Sequence, residues 1–228
     1  MKRTPWKIAL GTALSAGLIA APLAAVPAFA VEGSPAAAGT SPVVINEVYL
    51  SGGSSGAAYK NKFVELYNTS DAPVTLDGWS LQYRSATGTA APTAVAALKG
   101  SIPAKGHYLV QGGTNSPTST AADLPTPDLM ATVINPSGGA GTLILARQTT
   151  AISPLATGSV IEPANVADLL GYGGSNTFET QPATAPAGNT DVKSLNRSNA
   201  ADGNNNAADF ALSAAITPTA AGGTVDPG

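Results

Sequence analysis

The chain has 228 residues, with 14 acidic and 11 basic side chains, one histidine and no cysteine. The lack of cysteine excludes a disulfide framework and thiolate-bound zinc, and one histidine is too few for a typical hydrolytic zinc site. The 25 glycines and 18 prolines are many for a helical protein and are typical of short strands joined by turns.

Residues 1–30 have the pattern of a secretory signal peptide. Three basic residues lie among the first seven, residues 8–30 carry no charge, and the segment ends in Ala28-Phe29-Ala30. Small residues at these positions suit signal peptidase, so we expect cleavage before Val31. The uncharged run is also long enough for a membrane anchor, but its glycines, its prolines and its Ala-x-Ala ending disfavour that alternative. We therefore expect a secreted mature chain without a transmembrane segment.

Removal of this segment makes the chain more acidic. It takes away three of the 11 basic residues and none of the acidic ones, which leaves 8 basic against 14 acidic residues and a net charge of −6. Binding to a phosphate backbone requires positive charge, so nucleic-acid binding by this chain alone is disfavoured. A cell-surface protein or polysaccharide is the expected kind of partner, and nothing in the sequence specifies an oligomeric state.

The folded domain is expected over residues 42–216, between a flexible lead-in at 31–41 and a linker-like tail at 217–228. Runs of β-branched, aromatic and aliphatic residues predict about seven short strands. These runs are 43–50, 62–68, 74–83 with a turn at Asp77-Gly78, 107–111, 142–147, 166–172 and 194–197. Short strands with frequent turns indicate an all-β sandwich rather than a parallel sheet.

Three long segments between these runs are poor in bulky side chains. Residues 85–97, 112–122 and 173–193 are rich in Ala, Thr, Ser, Gly and Pro, so we expect surface loops that contribute little to the core. Helix is expected for no more than a turn or two, near residues 121–129.

Several segments resemble, in order, the lamin tail domain family. The opening ones are 44–48 (VINEV), 63–68 (FVELYN) and 74–81 (VTLDGWSL), and the closing one runs from SLNR at 194–197 to DGNNNAADF at 202–210. The resemblance implies an immunoglobulin-like β-sandwich, here with long Ala/Thr/Gly-rich loops. It also implies a bacterial exported protein in which the domain serves adhesion, targeting or spacing.

The expected function is therefore a secreted, non-catalytic binding, adhesion or spacer module at the cell exterior. The alternative is the accessory N-terminal domain of an extracellular endonuclease/exonuclease/phosphatase-type enzyme whose catalytic domain is absent from this chain. The Gly/Pro/Thr-rich end of the sequence at 217–228 motivates that alternative.

Few residues are candidates for catalysis. Glu47 and Glu65, on neighbouring predicted strands, could form a carboxylate pair for acid–base or glycosidic chemistry, although hydrogen bonding to backbone or to an asparagine is the more ordinary role. His107 lacks a G-x-S-x-G partner motif and is expected at a strand start on the surface. Trp79 and Tyr83 could stack on a sugar but are expected to be core residues. We therefore expect no catalytic residue.

One segment has a pattern suited to metal binding. Its oxygen-bearing side chains are Asp202, Asn204, Asn206 and Asp209. Oxygens at alternate positions of a Gly-containing loop suit Ca²⁺, but the glycine and the closing glutamate of the EF-hand template are missing from their places. The competing interpretation is a loop whose side chains cap its own backbone. Ca²⁺ is the one cofactor that the sequence suggests.

Overall fold

The computed structural model describes residues 41–160 and 162–222. The predicted signal peptide at 1–30 and its cleavage site, nearly all of the lead-in at 31–41, and the last six residues of the tail lie outside the described residues. Within the described part of the chain, no helix is long and apolar enough to cross a membrane.

The described residues form short strands and one helical turn. In chain order these are β1 (Val43–Tyr49), β2 (Phe63–Asn68), β3 (Val74–Thr75), β4 (Ser80–Ser85), β5 (Ala94–Ala97), β6 (Ser101–Ile102), β7 (His107–Gln111), β8 (Leu129–Met130), β9 (Ala140–Ala146), β10 (Gly158–Ser159), β11 (Val166–Gly173), β12 (Thr177–Phe178), β13 (Ser194–Arg197), α1 (Asn206–Asp209) and β14 (Phe210–Ser213).

Two sheets make up the sandwich. The larger sheet has the spatial order β14-β13-β1-β2-β7-β8, and the smaller has the order β11-β9-β4-β5. Every pair in them is antiparallel except β7 with β8. The remaining strands form two small ribbons, β3-β6 and β10-β12. The prediction of an all-β, immunoglobulin-like sandwich is confirmed.

Side-chain alternation along the strands builds the core between the sheets. In β2, Val64 and Leu66 join the main buried cluster, and they meet Leu81, Leu143 and other side chains of the smaller sheet there. Successive residues of a strand point to opposite faces, so the neighbours of Val64 and Leu66 in β2 lie on the outer face of the larger sheet.

Loops cover the outer faces of both sheets. Phe63 and Leu109 belong to a separate cluster that Tyr59, Leu124 and Ile216 cover. On the smaller sheet, an outer cluster around Ile144 and Leu169 is covered by the segment that follows β9. The fold therefore has three apolar layers.

The predicted strands agree well with those observed, and β7 and β13 agree residue for residue. The turn at Asp77-Gly78 is confirmed, since Gly78 has a φ of +88°. The strands on either side of it do not pair with each other, because β3 pairs with β6 while β4 pairs with β5 and β9. The turn carries the chain from a ribbon into the smaller sheet.

Two of the three long loops contain more structure than expected. Residues 85–97 include β5, which extends the smaller sheet, and residues 173–193 include β12 together with buried Thr177 and Glu179. The expectation of a helical turn near 121–129 is wrong, because no helix forms there and the helical turn is α1 instead. Alanine and threonine side chains pack close to a sheet without producing a strong sequence pattern.

Lys62, immediately before β2, is a buried cation. Its Nζ donates to the carbonyl oxygen of Pro136 at 2.6 Å, and the residue is 4% exposed. No carboxylate among the described residues forms an ion pair with it. Burial lowers the pKa of Lys62 to about 8.

This pKa predicts a pH dependence of stability that Lys62→Met removes. Between pH 8 and 10.5 the unfolded chain holds the proton and the folded chain releases it, so stability rises with pH in that window. Relative to Lys62→Met, the parent should gain about 2 kcal/mol in free energy of unfolding between about pH 8 and pH 10. Urea denaturation measures it, and Lys99→Met, at an exposed lysine, is the control. Parallel pH profiles for the parent and Lys62→Met would contradict the assignment.

Candidate functional site

A buried ion pair joins the two sheets. Arg197, the last residue of β13, donates from Nη2 to Oδ2 of Asp168 on β11 at 2.6 Å, and both side chains are fully buried. The same Asp168 oxygen accepts the backbone N–H of Ile45 at 2.5 Å, and Arg197 Nε donates to the Ile45 carbonyl at 2.8 Å. One backbone position of β1 is thereby fixed to both charged groups.

Irregular strand pairing allows the side chain of Asp168 to reach Arg197 and the backbone of Ile45. The register shifts between Ile45 and Glu47 in β1, and again between Val166 and Asp168 in β11. A bulge of this kind bends the strand and redirects a side chain. Full burial raises the pKa of Asp168, and the charge of Arg197 opposes that rise.

Arg197 also anchors the loop for which calcium binding is predicted. Its Nη1 lies 3.4 Å from Asp202 Oδ1 and 3.6 Å from Asp209 Oδ2. Both carboxylates cap the loop's own backbone: Asp202 Oδ1 accepts the N–H of Asn204, and Asp209 Oδ2 accepts those of Gly203 and Asn205. These contacts match the competing interpretation of a self-capped loop.

Asn206 is directed away from that loop and into the fold. Its Oδ1 accepts the backbone N–H groups of Gly171 and Glu179, and its Nδ2 donates to the Leu169 carbonyl and to Glu179 Oε2. The amide oxygen therefore has both lone pairs engaged. Asn204 is exposed, with a φ of +53°. Asp202 and Asp209 thus meet at Arg197 Nη1, whereas Asn206 is directed into the fold and Asn204 is exposed.

A different set of carboxylates does converge. Glu162, Glu179 and Asp202 each place one carboxylate oxygen within 4.8 Å of the other two. They come from the loop before β11, the loop after β12 and the loop after β13. Burial, with added repulsion from Asp168, raises the pKa of Glu162 to about 7 and that of Glu179 to about 11. We call these three residues the carboxylate cluster.

Sequence reasoning missed this cluster because its members lie far apart in the chain and in segments that are interpreted as loops. One signal was present: Glu162 and Glu179 are the only glutamates after Glu65, in a stretch rich in small neutral residues. Their burial within such a stretch is evident only from the fold.

Glu47 and Glu65 are neighbours, as predicted, and pair across β1 and β2. The C-terminal segment covers them. Thr217 donates its N–H and its hydroxyl to Glu47, and Thr219 donates its N–H to Glu65 Oε2 at 2.7 Å. Asn46 Nδ2 donates to Glu65 Oε1 at 2.7 Å. The side chains are fully engaged, so they provide no free acid–base pair.

These contacts change the interpretation of the tail. The segment 217–222 packs on the outer face of the larger sheet and is not a linker over its described part. The sandwich therefore extends at least six residues beyond the predicted boundary at 216. A run of Thr, Pro, Ala and Gly has too little apolar pattern to show this in the sequence; its backbone N–H groups provide the contacts.

The other candidate residues have structural partners. His107 begins β7, and its Nδ1 lies 2.8 Å from Glu65 Oε1. Trp79 packs at the edge of the main core with the guanidinium of Arg147 over its ring at 5.4 Å. The hydroxyl of Tyr83 accepts the N–H of Ser137 at 3.1 Å. The guanidinium of Arg147 thus occupies one face of Trp79, while Tyr83 packs against the main core and lines a cavity of about 370 Å³.

A groove of about 630 Å³ lies over the outer face of the smaller sheet. We call it the outer groove. Its lining residues are Ile152, Ser153, Pro154, Leu155, Ala156, Ser159, Val160, Pro163 and Asn165. None of these carries a titratable group or an aromatic ring, so the groove offers apolar contact and hydroxyl or amide hydrogen bonds but no acid–base chemistry.

Comparison with known families gave one match. A family model described as Lamin Tail Domain matches residues 36–174, which is more than half of the 228 residues. A search among curated proteins found no match. The matched range contains Glu47, Glu65 and Asp168, and it ends before Glu179 and Arg197.

The cover over Glu47 and Glu65 predicts that the tail contributes to stability. A chain that ends at Ile216 loses the N–H donors of Thr217 and Thr219, and both buried carboxylates lose a partner. We expect it to unfold with a free energy lower by about 2–4 kcal/mol than a chain that ends at Gly222. Guanidinium denaturation of the two truncated chains gives this difference. Equal stabilities would show that residues 217–222 do not belong to the folded domain.

Proposed function

The chain belongs to the lamin tail domain family, and from that premise we propose that it is a secreted, non-catalytic module that binds a protein partner outside the cell. The single observation that supports this most strongly is the contrast between its two outer faces. The C-terminal segment covers the paired carboxylates Glu47 and Glu65, whereas the loop over the smaller sheet leaves an apolar groove.

The covered carboxylates argue against hydrolysis. General acid–base catalysis requires a group within reach of the substrate and a neighbour that tunes it. Glu65 is 1% exposed and its oxygens accept from Asn46 and from the backbone of Thr219. A substrate would have to displace the C-terminal segment before it could reach either glutamate.

The chemistry of the outer groove favours an apolar peptide segment as its occupant. Leu155 and Val160 are partly exposed at its wall and pack on the cluster beneath. Recognition of a sugar ring commonly uses an aromatic face, and the groove has none. Ser153 supplies a hydroxyl group for a peptide backbone, and Ser159 and Asn165 keep hydrogen-bonding capacity beyond their contacts with Thr180 and Gln148.

Location and charge support the same proposal. The signal-like pattern of residues 1–30 favours export, and the acidic mature chain disfavours nucleic acid. The outer groove itself carries no charged side chain, so affinity there depends on apolar burial and not on salt.

A peptide-binding experiment tests the groove. We expect linear peptides selected from a displayed random library to be rich in aliphatic residues and proline, and to bind in the micromolar range. The double variant Leu155→Asn/Val160→Asn should weaken that binding at least about tenfold, equivalent to 1.4 kcal/mol. The measurement is fluorescence anisotropy with labelled peptide.

The matched control is Met130→Asn/Val133→Asn, because both residues are exposed and apolar and lie outside the groove. It should leave the affinity unchanged. Equal binding by the parent and the groove variant, or selection of no peptide at all, would count against the groove. Turnover of a glycoside, ester or phosphodiester by the purified chain, abolished by Glu65→Gln, would refute the non-catalytic proposal.

A further inference from the structure

The geometry of the carboxylate cluster meets the distance requirement of a single hard cation. Calcium binds oxygen at 2.3–2.6 Å, so two oxygens on one ion lie no more than about 5 Å apart. The cluster oxygens of Glu162, Glu179 and Asp202 lie within 4.8 Å of one another. A common ion therefore needs no large rearrangement of the chain.

A second observation is independent of the clustering. Oε1 of Glu162 and Oε1 of Glu179 are both buried, and no N–H or hydroxyl group among the described residues donates to either. Glu179 is 0% exposed and Glu162 is 7% exposed. Buried carboxylate oxygens almost always have a donor or a cation as a partner, because leaving them unpaired is costly. Two unpaired oxygens in one cluster indicate a missing positively charged partner.

The protein itself does not supply that partner. Arg197 is committed to Asp168 at 2.6 Å and reaches only Asp202 among the cluster, at 3.4 Å. Among the residues that the structure describes, no lysine, arginine or histidine forms an ion pair with Glu162 or Glu179. Arg147 acts on Glu162 only through its charge and forms no ion pair with it, so the three carboxylates contact one guanidinium that is already shared.

We propose that Glu162, Glu179 and Asp202 bind one Ca²⁺ ion. The donors are all carboxylate oxygens, which suit hard cations rather than zinc or copper. Calcium also tolerates irregular sites with six to eight oxygens, whereas magnesium demands a near-ideal octahedron. Asn205, on the same loop as Asp202, has a buried Oδ1 without a partner, which is a further oxygen near this end of the loop.

The ion would connect three segments that are distant in sequence. Glu162 is followed by Pro163, which lines the outer groove, and Glu179 donates its backbone N–H to Asn206. Calcium at the cluster would therefore stabilise the segment that forms one wall of the groove. The site itself stands on its own contacts and does not depend on what the groove binds.

A proton shared between Glu162 and Glu179 is the alternative way to satisfy two of these oxygens. The two explanations make opposite predictions about pH and metal. A shared proton stabilises the fold on acidification and is indifferent to calcium, whereas a calcium site is strongest when the carboxylates are ionised.

The test is thermal unfolding of the full chain at pH 7.5, in EDTA and in Ca²⁺, with calorimetric titration of Ca²⁺ alone. We expect one ion per chain and a midpoint that rises by about 5 °C or more at a hundredfold excess over Kd. Glu179→Gln should abolish the rise. In EDTA its midpoint should equal or exceed that of the parent, because the substitution removes a buried carboxylate that has no cationic partner among the described residues.

Comparing the midpoint of Glu179→Gln in EDTA and in Ca²⁺ distinguishes a calcium ligand from a merely structural residue. Substitution of a merely structural residue would lower the midpoint in both buffers. Glu162→Gln is the second variant and should weaken Ca²⁺ binding at least about tenfold, a loss of 1.4 kcal/mol. Asn204→Gly is the matched control: it removes an oxygen of the sequence-predicted loop, keeps the positive φ accessible, and should retain the full response.

Three results would overturn the proposal. The parent could show the same midpoint in EDTA and Ca²⁺ together with a higher midpoint at pH 5.5, which would establish the shared proton. The calcium response could survive Glu179→Gln undiminished. It could also disappear in Asn204→Gly, which would place the ion in the loop of Asp202 to Asp209.

Discussion

The ion pair between Arg197 and Asp168 is the interaction on which the rest of the structure depends. It connects the smaller sheet to the larger one at the Ile45 backbone, with both side chains fully buried. Removing one partner of such a pair leaves a buried charge without compensation, at a cost of about 3–5 kcal/mol. Because Arg197 also faces Asp202 and Asp209, the same guanidinium positions the loop that carries one member of the carboxylate cluster.

The two outer faces of the sandwich differ because different segments cover them. On the larger sheet, the segment 217–222 supplies backbone N–H groups to Glu47 and Glu65, so the carboxylates that most resemble a catalytic pair serve to hold the chain end in place. On the smaller sheet, the cover is a loop with Leu155 and Val160 over an apolar cluster, and it leaves a groove. Covered carboxylates on one outer face and an apolar groove on the other support the proposed binding function.

The sequence predicts the strands far better than the site. Branched and aromatic runs such as those of β1, β2 and β11 carry their own pattern, whereas β5 and β12 consist of small residues or two-residue pairs whose pairing depends on their neighbours. The predicted calcium loop relied on local spacing, but Asn206 turns inward to Gly171 and Glu179. Glu162 and Glu179 come together only through the tertiary fold, so no local pattern in the sequence could place them beside Asp202.

A double-mutant cycle on the inter-sheet pair tests this account most directly. The free energies of unfolding of the parent, Asp168→Asn, Arg197→Met and the double variant are measured by urea denaturation in EDTA. We expect each single substitution to cost about 3–5 kcal/mol and the double to cost little more than one of them, which gives a coupling of at least about 2 kcal/mol. Additive costs would contradict the claim that this one pair joins the sheets.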